Sequence, residues 1–290
     1  MSQLPLRTRI FNQFRTAFMN RPVEFLLTRA MQVRWLRPLA FRLLPNHYQY
    51  KPGSFRSVVR FGLRFELDIS NLNDWEIFFS CTDQSLEKLI SESKPGFCVF
   101  DVGANIGFAS LRLADRVGPS GTVIAFEPFP FTFAKLQRNL SLNPKLPVKP
   151  HPEALGSAIG EAKLAVVKAD NLGRNKIQPL PNGDGVHVNL TTVDEFCAKH
   201  HIAQVDLLKL DVEGYEMQVL LGARQLITRC KPGLLVEIGD ENLRAQGSSP
   251  AELVEFLLKS GYTVTEAESA RVIELSENFK NCHFDAWCHP

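Results

Sequence analysis

A chain of 290 residues with 44% apolar and 22% charged side chains has the composition of a soluble globular protein, long enough for one large core or a core with an appended segment. No uninterrupted apolar run of about 18 residues is present, so nothing reads as a membrane span, and the start lacks the charged–apolar–small order of a secretory signal. The six cysteines, at 81, 98, 197, 230, 282 and 288, form no CxxC pair and read as reduced thiols, which points to a cytoplasmic setting.

The net charge of +2 hides an asymmetry. Residues 1–50 carry eight arginines against one acid, Glu24, while the other 240 residues carry 25 basic and 30 acidic side chains. The main body therefore lacks the electrostatic footprint of a nucleic-acid binder. Three segments are expected: a basic amphipathic helical extension over 1–52, a hairpin and helix over 53–94 leading into the core, and a main domain over 95–290.

In chain order, residues 8–20 and 22–44 place apolar side chains among arginines at helical spacing and predict amphipathic helices interrupted at Pro22 and Pro38. A helical cap on the main domain with solvated arginines, peripheral contact of residues 1–50 with an anionic membrane, and a targeting segment all fit that pattern. Residues 55–69 alternate around Gly62 and predict a small hairpin. A helix follows from about Asp83 to Glu92, ending at Pro95-Gly96. Apolar strands are then expected at 97–102, 122–126, 205–210 and 233–238, with helices at 107–116, 131–142, 192–200 and 215–228. A helix at 250–260 and strands near 262–266 and 283–287 close the chain. Strands alternating with helices predict βαβ units and a mostly parallel twisted sheet with helices on both faces. The Gly-, Pro- and Asn-rich stretch 168–186 is a candidate loop over the site.

The first strand of that series reads VFDVGANIG, residues 99–107. Gly103 lets the chain turn sharply, and Gly107 opens the helix N-terminus to a ligand, with Asn105 between them. A dinucleotide site favours G-x-G-x-x-G without an acid beside it; here the spacing is G-x-x-x-G and Asp101 precedes it. That carboxylate repels a pyrophosphate and attracts a cationic amino-acid moiety, such as the ammonium and sulfonium of S-adenosylmethionine. Capping of the turn is its structural alternative. Glu127 ends the second strand, where an acid accepts hydrogen bonds from the hydroxyls of an adenosine ribose. Glu153, beyond the third strand, is a further cofactor-binding candidate, and His151 beside it is either near the adenine or an ordinary loop histidine.

LLKLDVEGYE, residues 207–216, sets Lys209, Asp211 and, if the strand continues, Glu213 on one face at a carboxyl strand end. Three charges there are costly unless paired or used. A structural Lys209–Asp211 or Lys209–Glu237 ion pair is the alternative to catalysis. The terminal CHFDAWCH sets two Cys-His pairs too far apart for an ordinary zinc turn, and no metal is assigned.

Together VFDVGANIG, the acid of AFEP, TTVDEF at 191–196, LLKLDVEGYE with LLGA, and LLVEI at 234–238 resemble the FkbM-type methyltransferases. The resemblance covers about 95–240 and implies a Rossmann-like class I fold, S-adenosyl-L-methionine as cofactor, and O-methylation of hydroxyls on polyketides, sugars or related metabolites. The family's usual histidine after the LLVEI-like strand is absent here, where Gly239 follows Ile238. Residues 1–50 lie outside the resemblance. Asp211 is expected to be the base or the acceptor-orienting group, tuned by Lys209 and Glu213; a cation bridging Asp211 and Glu213 is an alternative aid. The rival functions are an NAD(P)-binding oxidoreductase, disfavoured by Asp101 and the missing third glycine, and a catalytically silent partner protein, disfavoured by the intact KLDVEGYE. The expected partner is a small-molecule or glycan acceptor, with the oligomeric state left open.

Overall fold

The computed structural model describes residues 6–80, 84–165, 176–178 and 185–290. They form two compact units, the first within Met1–Thr82 and the second beginning at Asp83.

The first unit runs α1 (Leu6–Thr16), α2 (Arg21–Gln32), α3 (Arg37–Leu43), β1 (Phe55–Arg60), β2 (Leu63–Asp68) and α4 (Leu72–Phe78). Asn20 starts α2 by accepting the Val23 N–H on its side chain at 3.1 Å, and Pro22 sits in the first turn, where its missing N–H costs nothing. Pro38 likewise opens α3 rather than interrupting a helix, so the expected 22–44 helix breaks earlier, at residues 33–36. Glu24, Leu27, Thr28 and Met31 form the buried stripe of α2. The Glu24 carboxylate is held by two bonds from the Arg56 guanidinium, at 2.8 and 3.0 Å. The hairpin turns through Phe61 and Gly62, both left-handed at φ +53° and +80°, as a two-residue hairpin requires. Helix α4 has only seven residues, too few for its periodicity to stand out in the sequence; it is started by Asn71 and anchored by Trp75, whose indole donates to Pro45 O at 2.8 Å.

The second unit runs α5 (Gln84–Glu92), β3 (Cys98–Val102), α6 (Phe108–Val117), β4 (Thr122–Phe126), α7 (Pro130–Ser141), β5 (Val148–His151), β6 (Ala154–Leu155), β7 (Gly160–Ala165), β8 (Lys176–Gln178), β9 (Val186–Thr191), α8 (Val193–Lys199), β10 (Leu207–Leu210), α9 (Glu216–Leu221), α10 (Arg224–Cys230), β11 (Gly233–Gly239), α11 (Asp240–Ala245), α12 (Pro250–Lys259), β12 (Thr263–Glu266) and β13 (His283–His289). Its main sheet has the order β12-β13-β11-β10-β3-β4-β5. β11, β10, β3, β4 and β5 are mutually parallel; β13 pairs antiparallel with β11, and β12 antiparallel with β13. Buried Phe100, Val102, Leu208, Leu210 and Val236 pack one face, and Val99, Val123, Leu207 and Leu235 pack the other against α5 and α6. This is the α/β, Rossmann-like arrangement expected, with helices on both faces.

Two features depart from expectation. The helix expected at 215–228 is two, because the chain passes too close to its neighbours at Gly222, where a Cβ would stand 2.0 Å from Gly156 O. Asp194 then starts α10 by accepting the Gln225 and Leu226 N–H groups at 2.9 and 2.8 Å. The second is a four-stranded sheet, β6-β9-β7-β8, in which β6 and β8 have only two and three residues. The candidate loop 168–186 lies largely outside the described residues; within it, Lys176–Gln178 is strand β8, and β9 begins at Val186.

Candidate active site

The order of the main sheet puts β3 beside β10 while β4 and β5 extend one way and β11 and β13 the other. Between β3 and β10 the direction of winding reverses, and open α/β sheets hold ligands in the crevice outside the carboxyl ends at such a point.

Gly103 lets the two strand ends close on each other. Its φ is +82°, and a Cβ would stand 1.9 Å from Asp211 O, so both the turn and the approach exclude a side chain. Gly107, at φ +88°, precedes α6; the room left by its missing side chain is filled by Leu136, whose Cδ1 lies 2.6 Å from where a Cβ would be. Asn105 between them is also left-handed, at φ +50°, and its N–H donates to Glu127 Oε2 at 3.0 Å. Glu127 Oε1 accepts the Phe129 N–H at 2.9 Å. Burial pushes the Glu127 carboxyl up to about 7, against these two amides, which pull it down. Each oxygen retains a lone pair for a further donor.

Asp101 and Lys209 are register partners on adjacent parallel strands, so their side chains leave the same face. Lys209 Nζ lies 3.5 Å from Asp101 Oδ1 and 3.0 Å from Asp211 Oδ2. Ser110, on α6, donates to Asp101 Oδ2 at 2.6 Å, and Asp101 is 0% exposed with Oδ1 making no hydrogen bond among the described residues. Burial pulls the Lys209 ammonium down, but the charges of Asp211 and Asp101 outweigh it and hold it above the ordinary lysine range. Lys209 therefore has two acidic partners, the second from the neighbouring strand rather than from Glu237. Asp211 is different in kind, since its side chain is 48% exposed at the crevice mouth.

Glu213 does not share that face, because β10 ends at Leu210. Glu216 folds the chain over by accepting the Val212 and Gly214 N–H groups on one oxygen, at 3.0 and 3.1 Å. Glu213 turns left-handed, at φ +53°, and its carboxylate accepts from Asn242 Nδ2 at 2.9 Å. Left-handed backbone at non-glycine residues costs about 1–2 kcal/mol each and clusters where geometry serves a site. Asn105 and Glu213 are two of the eight such residues among the described ones, and both lie in loops that follow adjacent strands.

Glu153 stands beyond β5, two strands from β3, with Oε2 buried and 3.5 Å from His151 Nδ1. His151 sits edge-on to Phe196, ring centroids 4.7 Å apart, and close to Phe126 and His200; burial lowers its pKa.

The sequence named Glu237 only as a partner for lysine. On β11 it faces Asp285 across the antiparallel pair, and burial followed by the charges of Asp211, Glu216 and Glu213 pushes its carboxyl up to about 9. His283 on β13 brings an imidazole 3.6 Å from Glu237 Oε1, and its Nδ1 lies 3.2 Å from where a Cβ of Gly239 would be. A histidine thus stands next to Gly239 in space although none follows Ile238 in sequence. Its only sequence signal was membership of CHFDAWCH, whose Cys288 faces the core instead. Ser110 and Asn242 carried no signal, since both partner the site from separate helices.

Lys209 joins Asp101 to Asp211, and the Glu237 carboxyl on β11 is near enough to Asp211, Glu216 and Glu213 to be raised by their charges. The exposed Asp211 carboxylate fits a cation, and Glu127 at the second strand's end fits paired ribose hydroxyls, so the donor set suits the ammonium, sulfonium and ribose of S-adenosylmethionine. Among the described residues no helix is long and apolar enough to cross a membrane.

Residues 101–264, more than half of the chain, match the methyltransferase FkbM domain. The chain is 30% identical over 143 residues to Methyltransferase 1 of Beauveria bassiana, a match covering 43% of this chain and 57% of that protein, so it spans little more than half of that relative's length. It is 28% identical over 217 residues to the 31-O-demethyl-FK506 methyltransferase FkbM of Streptomyces tacrolimicus, covering 65% of this chain and 80% of that one. A third relative, the hexuronic acid methyltransferase AglP of Haloferax volcanii, is 27% identical over 134 residues, covering 46% of this chain and 53% of its own. The motifs read from the sequence, the reversal of winding at β3 and β10, and the span of the domain match agree: the chain belongs to the FkbM methyltransferase family.

Proposed function

We propose that this protein transfers the methyl group of S-adenosylmethionine to a hydroxyl of a small metabolite, sugar or glycan. The observation that carries the proposal is the meeting of the Asp101–Gly107 loop with Asp211 at the winding reversal, which brings a cofactor loop and an exposed carboxylate together through the Gly103 approach. Two relatives are named for methylation at an oxygen or of a hexuronic acid, which supports a hydroxylated acceptor.

Bound S-adenosylmethionine supplies an electrophilic methyl on an activated sulfonium. The chain's own task is to align an acceptor oxygen and take its proton. Glu127, Asn105 and the glycine turn would hold the ribose end of the cofactor, and the Asp211 carboxylate would draw its cationic end toward the crevice. Asp211 orients the acceptor hydroxyl at the crevice mouth and takes its proton as the oxygen–methyl bond forms and the methyl–sulfur bond breaks, with Lys209 fixing the carboxylate by its 3.0 Å bond. Asn242 holds Glu213 on the other wall.

The test is transfer of labelled methyl from S-adenosylmethionine into a panel of hydroxylated acceptors and a metabolite extract, comparing the protein with Asp211→Ala. Transfer by the parent, and its loss in the variant with calorimetric cofactor binding retained, is the expected result. Cofactor binding without transfer to any acceptor would overturn the enzymatic assignment; equal transfer by both proteins would overturn the role of Asp211.

A further inference from the structure

Among the described residues, twelve of the seventeen exposed large apolar side chains belong to the first unit. Phe14, Phe25, Leu26, Trp35, Leu39 and Phe41 are each more than half exposed, and Trp35 reaches 79%. Exposed apolar side chains gathered in this number mark an interaction surface.

Charge identifies the partner. Arginines stand among these side chains along the chain, as in VRWLRPLAFR, residues 33–42, where Arg34, Arg37 and Arg42 are exposed beside Val33, Trp35, Leu39 and Phe41. The one acid of the first fifty residues, Glu24, is buried and bound by Arg56, so it presents no negative charge outward. On α2, Arg21, Phe25, Arg29 and Gln32 follow one another along a flank beside the buried stripe. With Phe55 and Val59 of β1 they border an open groove of about 740 Å³. Arg29 lies 4.7 Å above the Phe25 ring within that flank. Nucleic acid shares the attraction for arginine, but exposed Leu26, Val33 and Leu39 gain little from a polar backbone. Between phosphate headgroups and acyl chains both kinds of side chain are satisfied at once, with the indole of Trp35 at the boundary.

We propose that the first unit docks on an anionic lipid surface through the exposed apolar side chains and arginines of α2, α3 and the turn between them. This inference is independent of the methyl-transfer assignment.

Trp35 makes the proposal testable in the whole 290-residue chain, because Trp75 and Trp287 are buried. The probes are phosphatidylcholine vesicles with and without phosphatidylglycerol, each also prepared with brominated acyl chains. The expected result is cosedimentation with the anionic vesicles, reversed by salt, together with quenching of Trp35 by brominated lipid. Each arginine near such a surface strengthens binding about fivefold, so joint replacement of Arg29, Arg34 and Arg42 by Gln weakens partitioning about a hundredfold. Circular dichroism of the variant keeps a folding defect separate, and Trp35→Phe identifies the quenched indole. Equal binding to neutral and anionic vesicles, absence of quenching, or self-association that shields Trp35 without lipid would each overturn the proposal.

Discussion

Replacing Lys209 with Met separates the two carboxylates that this lysine serves. Asp101 is 0% exposed, and without the ammonium its charge is left in the core with a single hydroxyl donor, Ser110. Removing one partner of a buried pair costs about 3–5 kcal/mol. Asp211, by contrast, is 48% exposed, and a pair with so solvated a partner contributes about 1 kcal/mol or less. Lys209→Met is therefore expected to lower the stability of the second unit by about 3–5 kcal/mol, and Asp211→Asn by about 1 kcal/mol or less. Adding Asp101→Asn to Lys209→Met removes the stranded charge and should recover most of the loss, giving a large coupling energy in a double-mutant cycle. Urea unfolding followed through Trp287, which is buried in the second unit, reads the relevant transition. Equal costs for Lys209→Met and Asp211→Asn, or no recovery in the double variant, would refute the assignment of Asp101 as the charge that Lys209 neutralises.

Three further outcomes follow from the site. Gly103→Ala places a methyl on Asp211 O in a left-handed turn; loss of at least about 3 kcal/mol in urea unfolding, together with loss of cofactor binding, is expected. Glu127 and Glu216 are raised to about 7 and Glu237 to about 9, above the ordinary glutamate value of 4.5, so the folded state retains protons that the unfolded chain releases. Their stabilising contribution is complete below about pH 4.5 and is lost as pH rises through about 7, with Glu237 extending the decline toward 9; urea midpoints across this range should fall, and Glu127→Gln should flatten the slope by up to about 1.4 kcal/mol per pH unit. An ionised Glu127 accepts from ribose hydroxyls without having to release a proton, so calorimetric affinity for S-adenosylmethionine should rise as pH approaches about 7 and level off above it, and the Gln variant should lose that dependence.

The elements legible in the sequence are those whose side chains repeat against a core. β3, β4, β10 and β11 are short apolar runs buried on both faces, and α6, α7 and α12 carry clear stripes. Gly103 was legible as a turn, whereas its approach to Asp211 O depends on which strand lies alongside, and strand order is not written locally. For the same reason the sequence offers Lys209 only Asp211 or Glu237; the structure keeps Asp211 and, through strand register, adds Asp101. Glu213 shares the Lys209 face only if β10 continues past Leu210; the strand ends there because the Glu216 side chain, further along the chain, bonds back to the Val212 and Gly214 N–H groups. In the four-stranded sheet β6 and β8 have two and three residues, too short for alternation to count, whereas β9, VHVNLT, alternates and is the strand of that sheet with a readable signal.

The adjacency of β3 and β10 also bears on how the protein reaches its native state. Asp206 Oδ2 accepts the Cys98 N–H at 2.8 Å although the two residues are 108 positions apart, and the Asp101–Lys209 contact closes a segment of the same size. Bringing such distant segments together carries a loop-closure entropy that local helices and the β1–β2 hairpin avoid. β4, β5 and the small sheet lie between them in the chain, so their contacts can form before the central parallel pair registers. The crevice is thus expected to assemble late in folding, with φ-values near zero at Lys209 and Asp101 and higher ones in α6 and β4. A nascent chain that has not yet extended past Leu210 has its glycine turn but no wall to face it.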